Sequence, residues 1–163
     1  MTVDPIRELR IRARLLHKDA STGDEAAARR VRAPSDARDV QLKHCLEAVA
    51  REHGFTGWAH ALRVLGGDPE ERDFGTLLYP REGAPYPNLW VADEDEARRL
   101  RMETGGYLLA YRLQFVVAQR ELVAALGLDP DDADWRAIDF DWPRPRERAA
   151  RTRLYGRLIA ARR

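Results

Sequence analysis

Cysteine, serine and lysine are almost missing from this sequence: one, two and two residues respectively in 163. Cys45 stands alone, so no internal disulfide can form, and a secreted disulfide framework is excluded. Neither Ser21 nor Ser35 lies in a G-x-S-x-G elbow. There is no C-x-x-C, no H-E-x-x-H, no P-loop and no G-x-G-x-x-G, so the common metal, nucleotide and dinucleotide signatures are absent. Long apolar runs are lacking as well. Uncharged stretches such as Leu113 to Gln119 are far too short to cross a bilayer. Near the start, Asp4, Arg7, Glu8, Arg10, Arg12 and Arg14 interrupt every apolar run, so no secretory h-region exists. The expectation is a cytoplasmic protein with no membrane partner.

What is present suits one globular domain. The length fits residues 1–163 as a single unit, able to bury roughly two thirds of its unfolded surface. A possible subdivision falls at Gly66-Gly67-Asp68-Pro69, with a helical 1–67 and a mixed 68–163. The net charge is +1, but it is unevenly spread. Residues 68–142 hold eight basic and seventeen acidic side chains, whereas 143–163 hold eight arginines and only Glu147. An acidic middle facing a basic end could neutralise itself on folding, or could leave a basic patch for a polyanion. Arginine supplies 26 of the 28 basic residues. A GC-rich genome produces that skew without any phosphate-reading role.

Hydrophobic spacing predicts mostly helices. Asp4-Pro5 opens an amphipathic helix over 5–18, with Ile6, Leu9, Ala13 and Leu16 on one face. A weaker helix covers 24–32. The third is capped by Ser35, with Asp36 and Asp39 in its first turn and Leu42, Cys45, Leu46 and Val49 inward. Gly54 ends it. A fourth helix over 57–65 turns Trp58, Leu62 and Leu65 inward. Prolines and glycines over 74–92 predict loop with short extended pieces at 76–79 and 89–92. A helix over 93–103 follows. Strict alternation from Tyr107 to Val117 predicts one half-buried strand, although a helical face also fits. Helices over 120–126, up to 138 and over 146–161 complete the chain. The fold class is therefore α+β and helix-dominated: a helical N-terminal half beside a two- or three-stranded sheet with flanking helices. Parallel and antiparallel pairing both remain open.

The segment from Val40 to Leu62, with Glu52-His53-Gly54-Phe55-Thr56-Gly57-Trp58 at its turn, resembles a short helical module. Similar stretches occur near the start of some bacterial ankyrin-repeat proteins and in some glyoxalase-superfamily proteins. The remainder, with Gly105-Gly106-Tyr107 and Gly127-Leu128-Asp129-Pro130, looks like an uncharacterised bacterial family. The resemblance implies two packed helices and carries over no catalytic residue.

Several groups are candidate sites. Residues 36–65 have the outline of a helix–turn–helix, but the second helix carries Arg63 as its only permanent charge. The C-terminal arginines Arg144, Arg146, Arg148, Arg151, Arg153 and Arg157 could contact phosphates, or could form a solvated face paired with the acidic middle. His44, Cys45, His53 and His60 lack metal-ligand spacing and read as surface histidines beside a buried thiol, so no metal and no cofactor is expected. The carboxylates at 93–96 and 129–134 sit at helix starts and read as caps. Arg81, Tyr86, Trp90, Tyr111, Arg112 and Trp135, with Tyr79 nearby, suit a partner or ligand surface. The leading expectation is a non-catalytic interaction or accessory protein with a protein partner. The alternatives are a small enzyme or small-molecule binder with a pocket in 79–142, and nucleic-acid binding through the last helix.

Overall fold

The computed structural model describes residues 3–31, 40–79 and 88–162. Among these residues the fold is helix-dominated α+β, with eight helices and a three-stranded antiparallel sheet. The helices are α1 (Pro5–Ser21), α2 (Glu25–Val31), α3 (Leu42–Glu52), α4 (Trp58–Gly66), α5 (Glu94–Thr104), α6 (Arg120–Ala125), α7 (Ala133–Ala137) and α8 (Arg148–Ala161). The strands are β1 (Leu89–Val91), β2 (Tyr107–Tyr111) and β3 (Gln114–Ala118).

Local chemistry explains most helix ends. The Asp4 carboxylate accepts the Arg7 amide at 2.8 Å and opens α1, whose Leu9, Ala13, Leu16 and Ala20 are buried as their spacing requires. Asp93 accepts the Glu96 amide at 2.8 Å and opens α5. The start of α3 differs from expectation. Val40 and Gln41 are not helical, and the Gln41 amide donates to His44 Nδ1 at 3.2 Å. The helix therefore begins at Leu42; Ser35, Asp36 and Asp39 lie outside the described residues. The inward face of α4 also shifts: His60, Ala61, Val64 and Leu65 are buried, while Trp58 and Leu62 are only partly so.

The segment 107–117 is a hairpin, not one strand. β2 pairs β3 in antiparallel register, Leu109 opposite Val116 and Tyr111 opposite Gln114. The turn uses Arg112-Leu113, with Arg112 in the left-handed region at φ 53°. The neighbouring loop holds it on both sides: the Arg112 amide donates to Gly75 O at 2.7 Å, and the Phe74 amide donates to Arg112 O at 3.0 Å. β1 joins the far side of β3, giving the order β1-β3-β2. The extended piece expected at 76–79 is a turn, with the consecutive residues Leu77 and Leu78 both buried.

The sheet is covered on both faces. Tyr107, Leu109, Val116 and Ala118 join a large apolar core with α1, α3, α4 and α8. Leu108, Ala110, Phe115 and Val117 form a second core with Ala97 and Leu100 of α5. That two-sided burial is why the hairpin's polar positions are so few. The outer edge of β2 meets residues 140–142: the Leu108 amide donates to Phe140 O at 2.8 Å, and the Trp142 amide to Leu108 O at 3.0 Å. Leu9 and Cys45 from the front half share one core with Trp142 and Leu154 from the back half. No helix among the described residues is long and apolar enough to cross a membrane.

Candidate functional site

The aromatic residues divide into two sets. Tyr79, Trp90 and Tyr111 form a triangle with ring centroids 5.4–5.7 Å apart. Strand alternation brings this about. Trp90 lies opposite Val116, and Tyr111 shares the face of Tyr107 and Leu109, so both stand on the main-core face at its outer margin. Trp90 remains 43% exposed, and Leu89 beside it is 47% exposed. Arg112, one residue beyond, is exposed. Trp135 does not join them. It is fully buried against Tyr107 and Trp142, and its indole N–H donates to Asp129 O at 3.0 Å. Arg81 and Tyr86 lie outside the described residues.

The C-terminal arginines are largely committed within the fold. Arg153 and Arg157 both bond the buried Asp134 carboxylate, Arg157 Nη1 at 2.6 Å from Oδ2, and Arg157 also meets Asp132 at 3.2 Å. The Arg153 bond, followed by that of Arg157, outweighs burial and holds the Asp134 carboxyl below its usual range. Arg144 pairs with Glu94 at 2.7 Å. Glu94 also takes Arg98, which reaches Asp141 at 2.6 Å; burial opposes the Arg98 charge, but these bonds prevail and raise its pKa. Basic end and acidic middle thus meet across the fold. Arg146 and Arg148 stay exposed.

Arg151 is different in kind. It is only 7% exposed, yet no described carboxylate lies within ion-pair distance. Its Nη1 donates to the carbonyls of Trp142 at 2.9 Å and Pro143 at 3.2 Å. Burial pulls its pKa down, a cost normally offset by a counter-charge. The residue lines a cleft of about 660 Å³ between α4, the 67–74 loop, the hairpin turn and the start of α8. By composition alone Arg151 belongs with the other C-terminal arginines. Register sets it apart: Arg151 shares the buried stripe of Leu154, Tyr155 and Leu158.

The histidines are structural ties rather than surface groups. His60 is buried; its Nδ1 accepts the Thr56 amide at 3.0 Å, and its Nε2–H donates to Asp73 O at 2.6 Å. His53 is buried too, its Nδ1–H donating to Val49 O at 2.8 Å and its Nε2 facing Arg12 at 3.0 Å. Cys45 is fully buried, which pushes its thiol pKa up. Among the described residues, no three His, Cys, Asp or Glu side chains are grouped to hold a metal ion.

Together these features define a small helix-dominated α+β protein with an aromatic sheet edge and an arginine-floored cleft. No protein-family model, no curated protein and no solved structure matches the chain.

Proposed function

We propose that this is a non-catalytic interaction protein that holds an extended segment of a partner protein along the outer edge of β1. The supporting observation is the chemistry of that edge. Exposed edge strands are usually blunted by charge, proline or a bulge. β1 reads Leu-Trp-Val, a short strand of three residues without charge, proline or bulge, and no described strand pairs its outer side. An added strand would pair the outer backbone groups of β1, as in β-augmentation. Trp90, braced by Tyr79 and Tyr111, would supply the aromatic anchor that dominates many interfaces.

The test is retention of a partner from the native host by tagged wild type, Trp90→Ala and Val91→Pro. The wild type should retain a partner that both variants lose, with their melting temperatures close to wild type. A partner held equally by all three, or a clean monomer in every case, would refute the reading.

A further inference from the structure

A second surface, independent of the β1 edge, has the chemistry of an anion site. The cleft of about 660 Å³ falls in the size range of small-molecule pockets. Its floor holds Arg151, more than nine-tenths buried, with Nη1 spent on two backbone carbonyls and no described acceptor on Nε or Nη2. Arg148, one turn earlier on α8, lines the same cleft, and its charge adds to the pressure against the Arg151 charge. Both arginines stand in the first turns of a fourteen-residue helix whose first turn holds no acidic residue, and the positive end of its dipole is offset in part by the exposed carboxylate of the N-cap, Glu147.

The acids on the cleft walls are already engaged. Glu71 takes Arg63 at 2.7 Å and the amides of Arg72 and Asp73 at 3.0 Å. Asp93 caps α5, Asp68 accepts the Glu70 amide at 2.9 Å, and Glu94 is shared by Arg98 and Arg144. None of them lies within ion-pair distance of Arg148 or Arg151. Phe74, Leu113 and Phe115 supply the cleft with apolar lining.

The geometry points to a binding site for a small organic phosphate, its phosphate on Arg148 and Arg151 and its organic body against Phe74, Leu113 and Phe115. A phosphate monoester carries close to two negative charges at neutral pH and offers three terminal oxygens to two guanidiniums, whereas a carboxylate offers one charge and two oxygens.

The experiment titrates the full chain with phenyl phosphate, inorganic phosphate and benzoate at constant ionic strength, read by calorimetry. Wild type should bind phenyl phosphate saturably and more tightly than inorganic phosphate, with benzoate weakest. Arg148→Gln, an exposed change, should weaken phenyl phosphate about tenfold while leaving the unliganded melting temperature unchanged. Arg151→Lys keeps the charge but loses the fork and should weaken binding comparably. No saturable binding of either phosphate, benzoate binding as tight as phenyl phosphate, or binding unchanged by both substitutions overturns the proposal.

Discussion

Replacing Arg98 with methionine tests how α5 is fastened to the sheet. Arg98 sends three nitrogens to three carboxylates: Nε to Asp141 at 2.6 Å, Nη2 to Glu94 at 2.9 Å and Nη1 to Asp95 at 3.1 Å. The pair that matters is Arg98–Asp141, whose side chains are 24% and 9% exposed. The bond to Asp95 is nearly solvent-level, with that carboxylate 78% exposed, and counts for little. Methionine keeps the aliphatic packing but leaves Asp141 buried, with the Arg144 amide at 2.9 Å as its remaining bond. Stranding one member of a buried pair costs about 3–5 kcal/mol, and partial exposure of Arg98 places this case near about 3. For a domain of this size that is roughly a 6–12 °C fall in melting temperature. Asp141→Asn should cost less, because Arg98 keeps Glu94 and Asp95. The double variant should be less damaged than the two losses added together, since the stranded charge is gone. Thermal melts followed by circular dichroism measure all three. A fall under about 2 °C for Arg98→Met, or strict additivity in the cycle, would refute the argument.

Three further outcomes follow from single contacts. At Gly156, an added Cβ would lie 2.0 Å from Val3 O, so Gly156→Ala should lose about 1–3 kcal/mol despite alanine's better helix propensity; a raised melting temperature would contradict this. Asp134 has a folded pKa below its unfolded one, so its contribution is present above the unfolded value and is lost as pH falls through the folded one. The stability gap between wild type and Asp134→Asn should therefore close below about pH 4, and a gap constant from pH 7 to 3 would contradict it. At Arg112, held at φ 53°, glycine should be tolerated and valine should cost about 1 kcal/mol or more; the reverse order in thermal melts would sink the strain argument.

Helix positions were readable where capping and periodicity agreed. Asp4-Pro5 and Asp93 mark starts that the backbone uses, and the Leu9, Ala13, Leu16 face is buried as spaced. The hairpin was hidden because Arg112-Leu113 carries no Asn-Gly or Asp-Gly signal; the loop at Phe74–Gly75 imposes the turn from outside. Tertiary contact of that kind leaves no mark on local sequence. β2 and β3 bury both faces, so polar residues are confined to the turn region at Arg112 and Gln114, and a single alternation runs through the turn without a break. The pairing of basic end with acidic middle was visible in the charge blocks, and Arg153 and Arg157 on Asp134 realise it. Arg151 was not singled out, although its place on the apolar stripe of α8 was open to inspection. Trp90 and Tyr111 lie in ring contact near the surface, whereas Trp135, of the same residue type, is core. Composition cannot tell those two roles apart; burial does.

The most direct measurement of the partner-strand reading is amide hydrogen exchange across Leu89–Val91 in the protein alone and in the complex recovered from its host. Added strand pairing should slow exchange at these amides, and Trp90→Ala should abolish the slowing by preventing capture. Unchanged exchange at β1, with protection appearing on another face of the bound protein, would contradict it.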